Sequence, residues 1–83
     1  MSNVLVCGAG GFIGGHLARR QRAAGHHVRA VDIKPIDEWY QTPPDDDALC
    51  LDLRVLDDCR RAVAGMDEVY NMASDMGGMG FIE

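Results

Sequence analysis

The sequence predicts an α/β fold: the first half of a doubly wound parallel sheet with helices on both faces. Three observations carry that prediction. An unbroken apolar run, Val4-Leu5-Val6-Cys7, stops at glycines and opens directly into a helical pattern. Strand-like and helix-like segments then alternate along the 83 residues. Finally, Asp32 closes the second strand-like run, and sheets of this kind carry their ligand-binding groups at the carboxyl edge.

Asn3 to Cys7 reads as a strand covered on both faces, because its apolar residues do not alternate with polar ones. Gly8, Gly11 and Gly14 follow with the spacing GxxGxxG. The commoner GxGxxG is not met, since Ile13 stands where its last glycine belongs. In this reading Gly8 makes the turn, Gly11 permits close approach of a ligand, and Gly14 allows tight contact between helix and strand. Phe12 to Ala24 is expected to be a helix with Ile13, Leu17 and Ala24 on its apolar side and Gly25 as its stop. His27 to Asp32 is a second short strand.

Between Ile33 and Asp47 the polar, proline-bearing stretch KPIDEWYQTPPDDD has neither a helical nor a strand period, so it reads as an irregular connection. Ala48 to Leu51 is a third strand. Asp52-Leu53-Arg54 leads into a helix whose apolar side would be Leu53, Leu56, Cys59 and Val63, stopped by Gly65. Asp67 to Ala73 is a fourth strand with Met72 in its core, and the chain closes in the glycine- and methionine-rich loop SDMGGMGFIE. Right-handed crossovers fold this β-α-β-β-α-β series into strand order 3-2-1-4, with the glycine loop at the carboxyl edge. Residues 1–83 thus read as one part of a Rossmann-type domain, without internal repeats.

Composition narrows the function. The formal net charge is −5 and seven of the eight cations are arginine, with Arg19, Arg20 and Arg22 on the first helix. Nucleic acid is therefore not expected as a partner. No apolar stretch approaches the roughly 20 residues of a bilayer span, and the chain reads as cytoplasmic and unprocessed. Cys7, Cys50 and Cys59 lack CxxC spacing and read as buried small hydrophobes. His16, His26, His27 and the run Asp45-Asp46-Asp47 lack ligand spacing, so no metal site is expected.

A strand, a glycine turn and a helix start form a mould for a dinucleotide pyrophosphate, here Gly8, Ala9, Gly10, Gly11, Phe12, Ile13 and Gly14. Asp32 lies 18 residues beyond Gly14, where a carboxylate accepts the ribose hydroxyls and repels a 2′-phosphate. Together with the glycines it points to NAD over NADP, a preference that Lys34 softens. Asp52 has two readings: its carboxylate receives the adenine amino group while the Leu53 amide meets a ring nitrogen, or it caps the following helix. Met76 and Met79 with Gly77, Gly78 and Gly80 suit a loop facing a ligand.

GAGGFIG, Asp32-Ile33-Lys34, Asp52-Leu53-Arg54 and Tyr70-Asn71-Met72-Ala73 resemble the extended short-chain dehydrogenase/reductase family, the NAD-dependent sugar-nucleotide epimerases and dehydratases. LDLRVLDDC and the tail from Ser74 to Glu83 resemble the branch that epimerises a GDP-hexose at C3 and C5. The resemblance spans nearly the whole chain but about a quarter of such an enzyme. It implies a bound NAD that oxidises C4, making C3 and C5 acidic, and that then returns the hydride. It also implies Ala73 beside the inner part of the cofactor, Gly77 beside the sugar, and a homodimer at full length.

The family's Tyr-x-x-x-Lys pair is absent. Tyr40 is followed four on by Pro44 and Tyr70 by Ser74, and Lys34 is the one lysine. No catalytic residue is assigned in these 83 residues, and the acid/base groups are expected beyond them. Gly15 also departs from the pattern, standing where a side chain usually precedes the histidine. A 4-epimerase, a dehydratase and a non-catalytic NAD-binding module are the competing readings.

Overall fold

The computed structural model describes residues 2–40 and 48–72. Four strands form one sheet: β1 (Asn3–Cys7), β2 (His27–Asp32), β3 (Ala48–Cys50) and β4 (Glu68–Asn71). Two helices accompany them, α1 (Phe12–Ala23) and α2 (Leu56–Val63), with a 3-10 turn at Ile36–Glu38. Every pairing is parallel and the order is β3-β2-β1-β4, as the sequence predicts. The apolar β1 lies between two neighbours, pairing Val4 to Cys7 with Val28 to Val31 on one side and with Glu68 to Asn71 on the other.

Alternation along the strands builds two cores. Val4, Val6, Val28 and Ala30 meet Ala18 of α1, together with Ala9, Trp39 and Ala48. Leu5, Cys7 and Val31 point to the other face and meet Ala62 of α2 and Leu51. Val4, Leu5, Val6, Val28 and Val31 are fully buried, each contributing about 1.5–3 kcal/mol of transfer free energy. Four successive apolar residues, Val4 to Cys7, are what two covered faces require.

Of the side chains that apolar spacing assigned to the sheet, Leu17 packs against the α1-side core and Leu53 against the other, and the remaining helix contacts differ. In α1 the buried residues are Gly14, Gly15 and Ala18, whereas Ile13 is 64% exposed and Ala24, the C-cap, is exposed as well. Small residues let the helix axis come close, so the near side is the small side and the large Ile13 is turned away. In α2 Ala62 is buried, while Leu56 and Val63 are exposed and Leu53 and Cys59 half-buried. Met72 lies just past β4 and is exposed, and Cys50 is exposed at the end of β3, so neither is a core residue.

Arg29 supplies what α2 lacks in apolar contact. From β2 its Nη1 donates to the carbonyls of Arg61, Ala62 and Ala64 at 3.1, 2.8 and 2.9 Å. These are the carbonyls a helix end leaves without partners, and a cation suits the negative end of the dipole. Among the described residues no helix is long and apolar enough to cross a membrane, and no cluster of His, Cys, Asp and Glu is arranged to hold a metal ion.

Candidate functional site

The carboxyl edge of the sheet holds the glycine loop. Gly8 turns there at φ 79°, a conformation open to glycine at little cost. The amides of Gly8 and Ala9 both donate to the Val31 carbonyl, at 2.8 and 3.1 Å, tying the turn to β2. The Gly11 amide donates back to the Gly8 carbonyl at 3.2 Å. A Cβ on Gly14 would run into that same Gly8 oxygen, so the contact expected between helix and strand is made with the turn itself. A Cβ on Gly11 would find its nearest neighbour at 3.7 Å, ordinary contact, so no protein atom demands a glycine there.

The helix start is open. Gly11 is its N-cap, and the first helical bond runs from the Gly15 amide to the Gly11 carbonyl at 2.9 Å. No side chain caps it and its first turn has no acidic residue, which leaves its first amides and positive dipole end to an anionic ligand. Gly8, Ala9, Gly10 and Gly11 use their amides inside the protein, so an anion at this helix start would meet the amides of Phe12, Ile13 and Gly14.

Asp32 ends β2 beside this loop. Its Oδ2 accepts from the Gly10 amide at 2.9 Å and its Oδ1 from the Lys34 amide at 3.0 Å. Each oxygen keeps a second acceptor position, so a carboxylate held at both ends can still receive a vicinal diol. The structure thus unites Gly8 to Gly14, Asp32 and Lys34 at one edge. An uncapped helix start, a glycine whose Cβ position is open and a fixed carboxylate fit a dinucleotide.

Two residues that pattern reasoning left out complete the edge. Trp39, within the stretch read as irregular, is buried at 7% exposure, and its Nε1 donates to the Lys34 carbonyl at 2.8 Å. The Tyr40 amide donates to the Gly10 carbonyl at 2.9 Å. Tyr40, Phe12 and His16 also form an exposed aromatic group, with Phe12 edge-on to both partners at 4.6 and 4.9 Å between centroids. The lone tryptophan of a polar loop was the available signal for Trp39.

Asp52 adjoins this edge through the Leu51 amide, which donates to the Asp32 carbonyl at 3.0 Å. It does not cap α2: the N-cap is Val55, with no side-chain bond, because a turn closed by the Val55 amide on the Asp52 carbonyl intervenes. The Asp52 carboxylate instead accepts from the Arg54 amide, Nε and Nη2 at 3.0, 2.9 and 3.0 Å. Those hydrogen bonds hold its pKa below the usual carboxylate value. Leu53 is half-buried against the α2-side core.

Tyr70 donates to Glu68 Oε1 at 3.2 Å, and the negative charge of Glu68 raises the tyrosine pKa. A tyrosine base needs the opposite shift. Burial, with the neighbouring Cys59 adding to it, pushes the Cys7 thiol up to about 11, so it is an inert core group. Ala73, Met76, Gly77, Gly78, Met79, Gly80 and the run Asp45 to Asp47 lie outside the described residues.

Residues 4–81 match the model of the NAD dependent epimerase/dehydratase family. The chain is similar to GDP-mannose 3,5-epimerase 1 of Oryza sativa subsp. japonica and to GDP-mannose 3,5-epimerase of Arabidopsis thaliana, 44% identical to each over 80 residues. It is 42% identical over the same length to GDP-mannose 3,5-epimerase 1 of Oryza sativa subsp. indica. These alignments cover 96% of the chain but 21% of the relatives, so the chain spans about a fifth of their length. The half-sheet order, the glycine loop and a match over nearly every residue lead to one assignment: the chain belongs to the NAD dependent epimerase/dehydratase family.

Proposed function

We propose that residues 1–83 are the N-terminal part of the NAD-binding domain of an enzyme that epimerises a GDP-hexose at C3 and C5, by transient oxidation at C4. The cofactor assignment is carried by Asp32, a carboxylate fixed by two amides beside an uncapped helix start. It takes the ribose hydroxyls and disfavours a 2′-phosphate, while Phe12, Ile13 and Gly14 offer their amides to the pyrophosphate and Gly11 leaves room for it. Asp52 and Leu53 flank the adenine end. Ala73 is assigned to the inner cofactor and Gly77 to the sugar by resemblance.

The identity to GDP-mannose 3,5-epimerases supports the substrate class, and the homodimer is assigned by resemblance. When bound, NAD supplies a hydride acceptor that gives the hydride back. Tyr70 has a raised pKa and neither tyrosine heads a Tyr-x-x-x-Lys pair, so this segment binds and orients while proton transfer falls to residues elsewhere in the enzyme.

Calorimetry on the full-length protein is expected to give saturable NAD binding. Asp32→Ala should weaken it about ten- to a hundredfold, the worth of hydrogen bonds to a charged group, and narrow the preference over NADP. Unchanged affinities would remove Asp32 from the site. Turnover of GDP-mannose in deuterated water should place deuterium at C3 and C5. A 4-keto-6-deoxy product would indicate a dehydratase, inversion at C4 alone a 4-epimerase, and NAD binding without turnover a binding module.

A further inference from the structure

We propose that Trp39 is a positioning residue for cofactor specificity, closing a ring of hydrogen bonds that holds the Asp32 carboxylate in one orientation; this rests on the reading of the glycine loop as an NAD site. The ring can be followed bond by bond. Trp39 Nε1–H donates to the Lys34 carbonyl at 2.8 Å, and the Lys34 amide donates to Asp32 Oδ1 at 3.0 Å. The Gly10 amide donates to Asp32 Oδ2 at 2.9 Å, and the Gly10 carbonyl accepts from the Tyr40 amide at 2.9 Å. Tyr40 follows Trp39 in the chain, which closes the circuit.

Packing reinforces it. A Cβ built on Gly10 would lie 2.8 Å from indole Cδ1 and 2.9 Å from Asp32 Oδ2, so ring, glycine and carboxylate leave no space for a methyl group. This gives Gly10, the extra glycine of the loop, its own reason to be glycine. Trp39 is also buried within a stretch whose neighbours Lys34, Pro35, Asp37, Glu38 and Tyr40 are exposed.

An aspartate on its own rotates about two side-chain torsions, and by rotating it can turn its charge away from a 2′-phosphate. Opposed amide donors on its two oxygens remove that freedom, and the indole anchors Lys34, the residue that carries one of the donors, through its carbonyl. Pre-organisation of this kind strengthens binding of the diol and preserves the repulsion of the phosphate. A tryptophan that only filled the core would, when replaced, lower the affinity for both cofactors alike.

The test compares NAD and NADP binding in the full-length protein and its Trp39→Phe variant, which keeps an aromatic ring but loses the donor. NAD affinity should fall about three- to tenfold, as for loss of one hydrogen bond, and the NAD-to-NADP ratio should fall with it. Equal weakening of both cofactors, or no change in either, overturns the role of Trp39. Should Trp39→Phe not fold, 3-benzothienylalanine at position 39, with sulfur in place of N–H in the same outline, carries the same two outcomes. Failure of the unaltered protein to bind NAD would overturn the NAD site itself, and is read separately from the variant.

Discussion

The β1–α1–β2 region and the β3–α2–β4 region share one plan and are held together differently. In the first, α1 buries Gly14, Gly15 and Ala18, and the glycine loop is clamped between the Val31 carbonyl of β2, Asp32 and Trp39. In the second, α2 buries Ala62 and leaves Leu56 and Val63 exposed, with its end held by Arg29 of β2. Close backbone contact organises one region, whereas in the other a small apolar core around Ala62 is joined by one guanidinium at the end of α2. The difference teaches that the candidate site sits where backbone atoms, more than large side chains, set the geometry.

That contrast is broken most severely at the glycines. Gly14→Ala should cost about 3 kcal/mol or more, because its methyl meets the immovable Gly8 carbonyl. Gly11→Ala should change stability by less than about 0.5 kcal/mol while weakening NAD binding, since no protein atom needs that space. Urea denaturation with calorimetry separates the two. Equal stability losses would mean that both glycines serve the fold alone.

The next test asks whether the α2 side, with its smaller helix contact, is still dry. Cys7 faces it with a pKa pushed up from 9.0 to about 11. A raised folded pKa means the stability it carries is complete below pH 9 and is lost as pH rises towards 11. The slope should be about 1.4 kcal/mol per pH unit over that window. Thiol reagents should label the exposed Cys50 well before Cys7. Rapid labelling of Cys7 at neutral pH would show water reaching that face.

Removal of Arg29 probes the other anchor. Arg29→Met keeps the stem but abandons three α2 carbonyls, and should destabilise by about 1–2 kcal/mol, more than Leu56→Ala at an exposed position. A larger loss from Leu56→Ala would reverse the account of what holds α2.

Strand order and parallel pairing were legible in the sequence because an apolar β1 followed by a glycine turn has few folds open to it. The uncapped helix start and Asp32 followed from the same logic of backbone and charge. The buried sides of the helices were less legible. Spacing rightly pointed to Leu17 and Leu53, which pack at the cores' margins, but the sheet selected Gly14, Ala18 and Ala62 for close approach. Trp39 was illegible for another reason: its burial depends on Gly10, 29 positions earlier, and no local period records such a partner. Of the two readings of Asp52, the cap is the one the structure removes, because a turn of backbone separates it from α2.

Asp52 provides the gentlest test, at the seam between the two regions. Its carboxylate takes three bonds from Arg54, and its pKa is lowered by them. A depressed folded pKa stabilises above the ordinary carboxylate range and loses that contribution as pH falls through the folded value. The group is exposed and shares its charge with water and Arg54, so the effect on denaturation midpoints is expected to be the smallest of the four. Asp52→Asn keeps the turn-closing acceptor but removes the charge, and should flatten the acid limb of the stability profile while leaving the neutral-pH midpoint nearly unchanged. A large loss at neutral pH would mean that the Asp52–Arg54 pair, and not Arg29 alone, holds the second region to the first.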